Sequence, residues 1–210
     1  MKEFEGVFVK LFKNDEQSAT KYIEQFVIEN PDDDEAKIAC ALHIQGSPYD
    51  DYPKAQSLLN DILTRDSCNI KAILLKGYME NIHIGQISYQ TVSEINRCLD
   101  LCSDDLYLKQ LFLLKAEYYR YKNKAEYIRA LQQSIQVDSL SSYNYLLLGK
   151  ETNDKELFEK GIKNINIVYS QNDISNFNPI DFDEFINEHL RGTSVTSINY
   201  ESLKNEFKNM

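Results

Sequence analysis

Turn-forming residues are scarce in this 210-residue chain, which contains seven glycines and four prolines. An all-β fold needs turn signals roughly every 8–12 residues, so the shortage excludes a sandwich or barrel and favours helices. Long apolar runs are also missing. No stretch reaches the ~18 consecutive apolar residues of a transmembrane helix, and no basic amphipathic face or lipidation signal is visible. The opening MKEFEGVFVKLFK puts Glu3 and Glu5 where a secretory leader carries its basic residues. A cytoplasmic protein without membrane attachment is the expectation. Cysteine is sparse as well: Cys40, Cys68, Cys98 and Cys102 are scattered through a chain long enough to fold without staples. They read as reduced thiols filling the core, and disulfides are not expected.

Positive charge is lacking in the first half. Residues 1–105 hold 19 acidic against 10 basic residues, while residues 106–210 hold 14 against 13, so nearly all of the net charge of -10 lies in the N-terminal half. Affinity for nucleic acid comes largely from neutralising phosphates with lysine and arginine, and no nucleic-acid partner is expected. The acidity has two readings: a solvated surface that keeps the protein soluble, or a docking face for a basic protein. The short basic run Arg120, Lys122, Lys124 and Arg129 reads as a solvated inter-helix turn.

Catalytic and cofactor strings are absent: there is no P-loop, dinucleotide fingerprint, nucleophile elbow or H-E-x-x-H. Cys40 and His43 stand three apart and Cys98 and Cys102 four apart, either pair able to share a helix face. A tetrahedral metal site needs about four ligands, and neither pair has further ligands at a suitable spacing. His43, His83 and His189 are isolated and read as surface or hairpin-turn residues. In the segment 173–184, Asp173, Ser175, Ile180 and Glu184 fall at calcium-loop positions, but Phe177, Asn178 and Pro179 replace an oxygen ligand, the turn glycine and a mobile carbonyl. The simpler reading is a turn in which Asp181 or Asp183 caps the following helix. Acidic pairs such as Asp32–Glu35 and Asp50-Asp51 belong at helix N-termini, where the helix dipole favours them. No enzyme activity, metal or cofactor is expected.

What is present is a repeat. Asn30-Pro31, Asp66-Ser67, Cys102-Ser103 and Asp138-Ser139 are 36 residues apart in succession. Ile23, Leu59, Ile95 and Leu131 share that register, as do Val27, Leu63, Leu99 and Ile135, giving an i, i+4 apolar stripe on the second helix of a recurring hairpin. A column of small residues, Gly6, Ala41, Gly77, Ala116 and Gly149, marks the first helix and lets neighbouring helices approach closely. The strings Leu74-Leu75-Lys76-Gly77-Tyr78 and Leu113-Leu114-Lys115-Ala116-Glu117 reinforce the alignment.

These columns, with Pro31 at a turn between units and Ala55 near the start of a second helix, resemble the tetratricopeptide repeat family over roughly residues 1–170. The period of 36, the turns without proline, and Lys37, Ile73, Phe112 and Tyr145 at the large helix-A position depart from the family's 34-residue pattern. The resemblance implies an all-α fold, a right-handed α-α superhelix of four to five helical hairpins with a C-terminal helical cap. Hairpins are expected at about 3–29, 34–65, 69–101, 106–137 and 142–170, with Gly85 and Asn123 in turns and Pro53 at a helix start. The implied organisation is a capping hairpin over 1–30, a repeat array over 31–172 and a helical cap or tail over 173–210.

The resemblance also implies a concave groove lined by the first helix of each hairpin, binding a protein or peptide. With the small-residue column as the reference position, the groove residues are Lys71, Tyr78, Asn81, Gln110, Glu117, Arg120, Tyr143 and Asn153. The lysine/asparagine carboxylate clamp of chaperone-binding members is not met, since Ile38 and Leu42 occupy the first unit's clamp positions. A scaffold or adaptor is the leading expectation. The alternative is an acidic immunity or inhibitor protein that neutralises a basic toxin or nuclease by stoichiometric binding.

Overall fold

The computed structural model describes residues 2–46, 48–169 and 178–190, with Asn205. They form helices α1 (Glu3–Phe12), α2 (Glu16–Glu29), α3 (Asp34–Ile44), α4 (Tyr52–Arg65), α5 (Ile70–Met79), α6 (Tyr89–Cys98), α7 (Asp105–Tyr119), α8 (Lys124–Val137), α9 (Ser142–Thr152), α10 (Lys155–Tyr169) and α11 (Phe182–Leu190). A π-helical turn, Glu80–Ile84, prolongs α5 and ends at Gly85, whose φ of 77° requires glycine's freedom. Among the described residues there is no strand, and no helix is long and apolar enough to cross a membrane. The second short helix expected near 199–209 lies outside the described residues.

The helix starts obey a rule finer than the 36-residue repeat. Asp15, Asp33, Asp51 and Asn69 follow one another at 18-residue intervals, each side chain accepting an amide hydrogen bond in the first turn of α2, α3, α4 or α5. Asn123 continues the series three steps later at α8, and Ser88 and Asp104, one residue off register, cap α6 and α7. The first amides of a helix have no intrahelical acceptor, and a capping side chain contributes about 1 kcal/mol. Each 36-residue unit is thus two capped half-units. Pro53 sits in the first turn of α4, where its missing N–H costs nothing.

Two compact units result, one of Met1–Cys98 with Phe177–Glu184, the other of Leu99–Asn176 with Phe185–Met210. In the first, α1 packs on α2, α3 on α4 and α5 on α6, while α2 touches α3, α4 touches α5 and α3 touches α5. In the second, α7 packs on α8, α9 on α10, and α8 on α9. Two of the first helices, α3 and α5, are enclosed: every residue of Ala36–Ile44 and of Ala72–Met79 is buried. Helices α2, α4 and α6 are buried along one stripe.

The first apolar register is buried throughout: Ile23, Leu59 and Ile95 in the first unit and Leu131 in the second are all fully enclosed. The second differs from expectation: Val27 is buried, but Leu63, Leu99 and Ile135 are only half-buried, and the residues one position earlier, Ile62, Cys98 and Ser134, are the enclosed ones. The buried stripe on these helices is therefore i, i+3, the alternative neighbour spacing on a helix face. The small-residue column is corrected at Gly6, which is exposed; α1 buries Phe4 and Phe8 one turn apart, leaving Gly6 on the opposite side. Ala41, Gly77 and Ala116 are buried as expected. A Cβ on Gly149 would lie 2.6 Å from the Phe158 amide nitrogen, and one on Gly161 would lie 2.8 Å from Leu146 Cγ, so α9 and α10 approach through glycine on both sides.

Lysines strap the pairs together. Lys76 of α5 donates to both Glu94 oxygens of α6 at 2.9 and 3.1 Å, with both side chains buried. Lys109 of α7 meets Asp138 beyond α8 at 2.7 Å, and Lys37 of α3 pairs with Asp61 of α4. Glu80, in the π turn, accepts from Ser88 N and Oγ and from Thr91 Oγ1, tying α5 to the start of α6.

The two columns make a contrast measurable by urea unfolding. Leu131→Ala is expected to cost about 2–5 kcal/mol through the cavity it leaves, and Ile135→Ala less than about 1.5 kcal/mol because solvent already reaches that side chain. Equal losses would contradict the i, i+3 stripe.

Candidate functional site

Three of the eight expected groove residues meet in the second compact unit. Glu117 and Arg120, at the end of α7, pair at 3.4 Å, and the Arg120 guanidinium lies beside Tyr143 of α9. Burial raises the Glu117 carboxyl above the ordinary carboxylate range although Arg120 opposes the shift, and burial likewise raises the Tyr143 phenol. Arg120 also lies 5.5 Å from the centre of the exposed Tyr121 ring, and Lys122 lies 3.6 Å from that of Tyr118. Lys124 reaches Glu151 at 3.5 Å and Arg129 reaches Glu126 at 3.1 Å; Arg120 and Lys122 fall in the expected inter-helix turn, whereas Lys124 and Arg129 belong to the first two turns of α8. Beneath the cluster, Tyr127 of α8 is 1% exposed and its hydroxyl has no hydrogen-bond partner among the described residues.

The other five residues are distributed differently. Gln110 is 1% exposed and Tyr78 9% exposed, and burial pushes the Tyr78 phenol up to about 12. They sit on helices enclosed by their neighbours and offer little surface in the free chain, which corrects their expected place in an open groove. Asn153 ends α9 in a left-handed conformation and is exposed at a turn; Asn81 is half-buried in the π turn. Neither lies along a groove-facing helix. Lys71, in the first unit, lines a cleft of its own.

That cleft, about 350 Å³ in volume, is walled by Lys2 and Glu5 of the first turn, Glu35, Ile38 and Ala39 of α3, Lys71 of α5, and the segment from Ile180 to Asp183. Glu35 binds Lys71 at 3.1 Å and Lys2 at 3.2 Å. Burial alone would raise the Glu35 carboxyl, but the two ammonium groups outweigh it and hold the carboxyl below its usual range. The Lys71 ammonium lies 5.9 Å from the centre of the Phe182 ring. Motif reading missed Glu35 as a site residue, although it stands 36 residues before Lys71 and therefore at the same place on the neighbouring first helix.

The metal-ligand candidates resolve into packing. His43 is buried among the rings of Phe8, Phe12 and Tyr49, with Thr20 Oγ1 2.8 Å from its Nε2. This corrects its reading as a surface residue: α3 is enclosed on every side. Burial depresses the His43 imidazole to about 4 and pushes the Cys40 thiol up to about 12. The thiols of Cys68 and Cys98 are hydrogen-bonding neighbours. Among the described residues no group of three or more histidine, cysteine, aspartate or glutamate side chains is placed to hold a metal ion. Asp181 caps α11, accepting from the Asp183 and Glu184 amides, while Glu184 accepts from the Asn178 amide at 2.8 Å. Asp173 and Ser175 lie outside the described residues.

Comparison with known protein families, curated proteins and solved structures found no match to the chain.

Two measurements test this description. A neutral His43 in the folded state and an ordinary imidazole in the unfolded chain mean that, below about pH 6.5, only the unfolded chain gains a proton. Stability should therefore be complete above pH 6.5, fall by about 2–3 kcal/mol towards pH 4, and level off below it; His43→Phe should flatten that part of the profile. Tyr127→Phe removes an unsatisfied hydroxyl and is expected to leave stability unchanged or raise it by up to about 1 kcal/mol in chemical unfolding. A loss beyond about 1 kcal/mol would mean that the hydroxyl is bonded in solution.

Proposed function

We propose that this chain is a non-enzymatic protein-binding module of the cytoplasm, an α-solenoid of five hairpins resembling tetratricopeptide arrays, with a right-handed superhelical course. The observation that carries the reading is the Glu117–Arg120–Tyr143 cluster on α7 and α9, beside the exposed Tyr121. Arginine and tyrosine dominate the energetics of protein interfaces because each combines a large apolar area with hydrogen-bonding ends. Here Glu117 and Tyr143 preorganise Arg120, which lowers the entropy lost when a partner docks. The nearby ion pairs supply a polar rim.

A second reading, an acidic inhibitor of a basic protein, is supported by the charge of the first unit. Six of the ten basic residues in 1–105 are held in ion pairs, while carboxylates such as Glu3 and Glu29 are exposed at the surface. It separates from the first by kinetics. An acidic inhibitor associates more slowly as salt rises, since charges beyond about 8–10 Å are screened at physiological ionic strength.

The test is capture of the partner by tagged full-length protein from the native host, followed by calorimetry with the purified partner. Arg120→Glu and Tyr143→Ala are each expected to cost about 1–3 kcal/mol of binding, with the helical circular dichroism unchanged. Tyr78→Ala should instead lower folding stability, because that side chain is enclosed. Wild-type affinity in the Arg120/Tyr143 double variant would place the interface elsewhere.

A further inference from the structure

We infer that the face of α1, α3 and α5 beside the cleft recognises a peptide of aliphatic–acidic–aromatic–acidic sequence, and that Ile180-Asp181-Phe182-Asp183 of this chain is seated on that face as a built-in ligand. The inference rests on the reading of the chain as a protein-binding module, but concerns a different surface from the cluster on α7 and α9.

The contact has the features of a bound peptide. Its anchors are two apolar side chains, Ile180 and Phe182, 3% and 5% exposed, which share the cleft with Ile38 and Ala39. Ile38 is 1% exposed although the groove reading places it on an open face, and it shares the wall of the cleft with the segment. A cleft of about 350 Å³ nevertheless stays open beside the segment, whereas a closed core has few voids larger than a water molecule. The segment also holds its own shape. Asn178 Oδ1 accepts from the Ile180 amide at 3.2 Å, Asp181 caps the following turn, and Glu184 closes back on the Asn178 amide. Its polar backbone groups are largely served from within, as suits a preorganised ligand.

Charge and aromatic contact define the class. Lys2 and Lys71, two of the few basic residues of an acidic half, line the cleft together with Asp181 and Asp183; both ammonium groups pair with Glu35, and Glu5 is a second carboxylate of the same wall. The Lys71 ammonium faces the Phe182 ring, an attraction that an aliphatic anchor would not provide. Lys71 is itself held by Glu35, which fixes its head over the ring position. A partner carrying the same pattern enters by displacing the segment. Because the segment is covalently attached, its local concentration is on the order of millimolar, and apparent affinity for a partner falls in proportion to the fraction of molecules with an open cleft.

The test uses full-length protein and a fluorescein-labelled peptide of the sequence NPIDFDEFINE. In anisotropy titrations Phe182→Ala, which frees the cleft, is expected to bind the peptide at least about tenfold more tightly than wild type. Adding Lys71→Glu should remove at least about tenfold of that affinity, and a peptide with alanine in place of its central phenylalanine should not bind. Wild-type protein supplies the control against misfolding: excess peptide should speed amide exchange over residues 180–184 while leaving α3 and α5 protected. Binding by Phe182→Ala no tighter than wild type, indifference to Lys71→Glu, or unchanged exchange over 180–184 would each overturn the inference. No cellular partner is present, so this outcome is independent of the Arg120 and Tyr143 experiment.

Discussion

Every helix start must find acceptors for amides that its own helix cannot serve, and at α2, α3, α4, α5 and α8 the chain meets that requirement with an aspartate or asparagine spaced by multiples of 18 residues. Asp15, Asp33, Asp51, Asn69 and Asn123 stop one turn and begin the next helix at fixed intervals. Helix length is set accordingly, and with it the alternation of direction that lets consecutive helices pack in pairs. The 36-residue recurrence of apolar side chains follows, since two capped half-units bring the chain back to the same environment.

Packing on that spacing encloses the first helices α3 and α5 completely, and enclosure has consequences for every polar group they carry. His43 can remain there only neutral, and Lys76 only with Glu94 against it. Removing one member of such a pair is destabilising by about 3–5 kcal/mol because the other is left buried and unpaired. The same enclosure takes Tyr78 of α5 out of reach of a partner, and Gln110 is buried on α7. What remains accessible is concentrated at helix ends, where Arg120 and Tyr143 lie, and in the cleft around Lys71. Both places combine a cation with an aromatic ring, and in each a carboxylate fixes the cation.

Much of the architecture was legible beforehand because it depends on periodicity, which sequence carries directly. The positions of the hairpins, the burial of Ile23, Leu59, Ile95 and Leu131, and the close approach at Gly149 follow from residue type at regular spacing. The half-unit spacing of the caps was equally present in the sequence but is carried by single polar residues among many, so the apolar columns obscured it. Of the site, the association of Glu117, Arg120 and Tyr143 could be anticipated from register, and the Glu35–Lys71 pair lies one full period apart.

Other features depend on distances along the chain that no repeat spans. The shift of the second stripe to Ile62, Cys98 and Ser134 reflects the angle at which helices cross, which the side chains of both partners set together. The burial of His43 follows from α3 being covered on every side, although an isolated histidine on a helix is equally compatible with solvent. The seating of Ile180 and Phe182 beside Ile38 and Lys71 joins residues more than a hundred positions apart. Composition and period determined that this protein is helical, where its helices begin and which face of each is apolar; only the tertiary structure decided which polar groups are enclosed and what lies over the cleft, because those depend on neighbours brought together by folding.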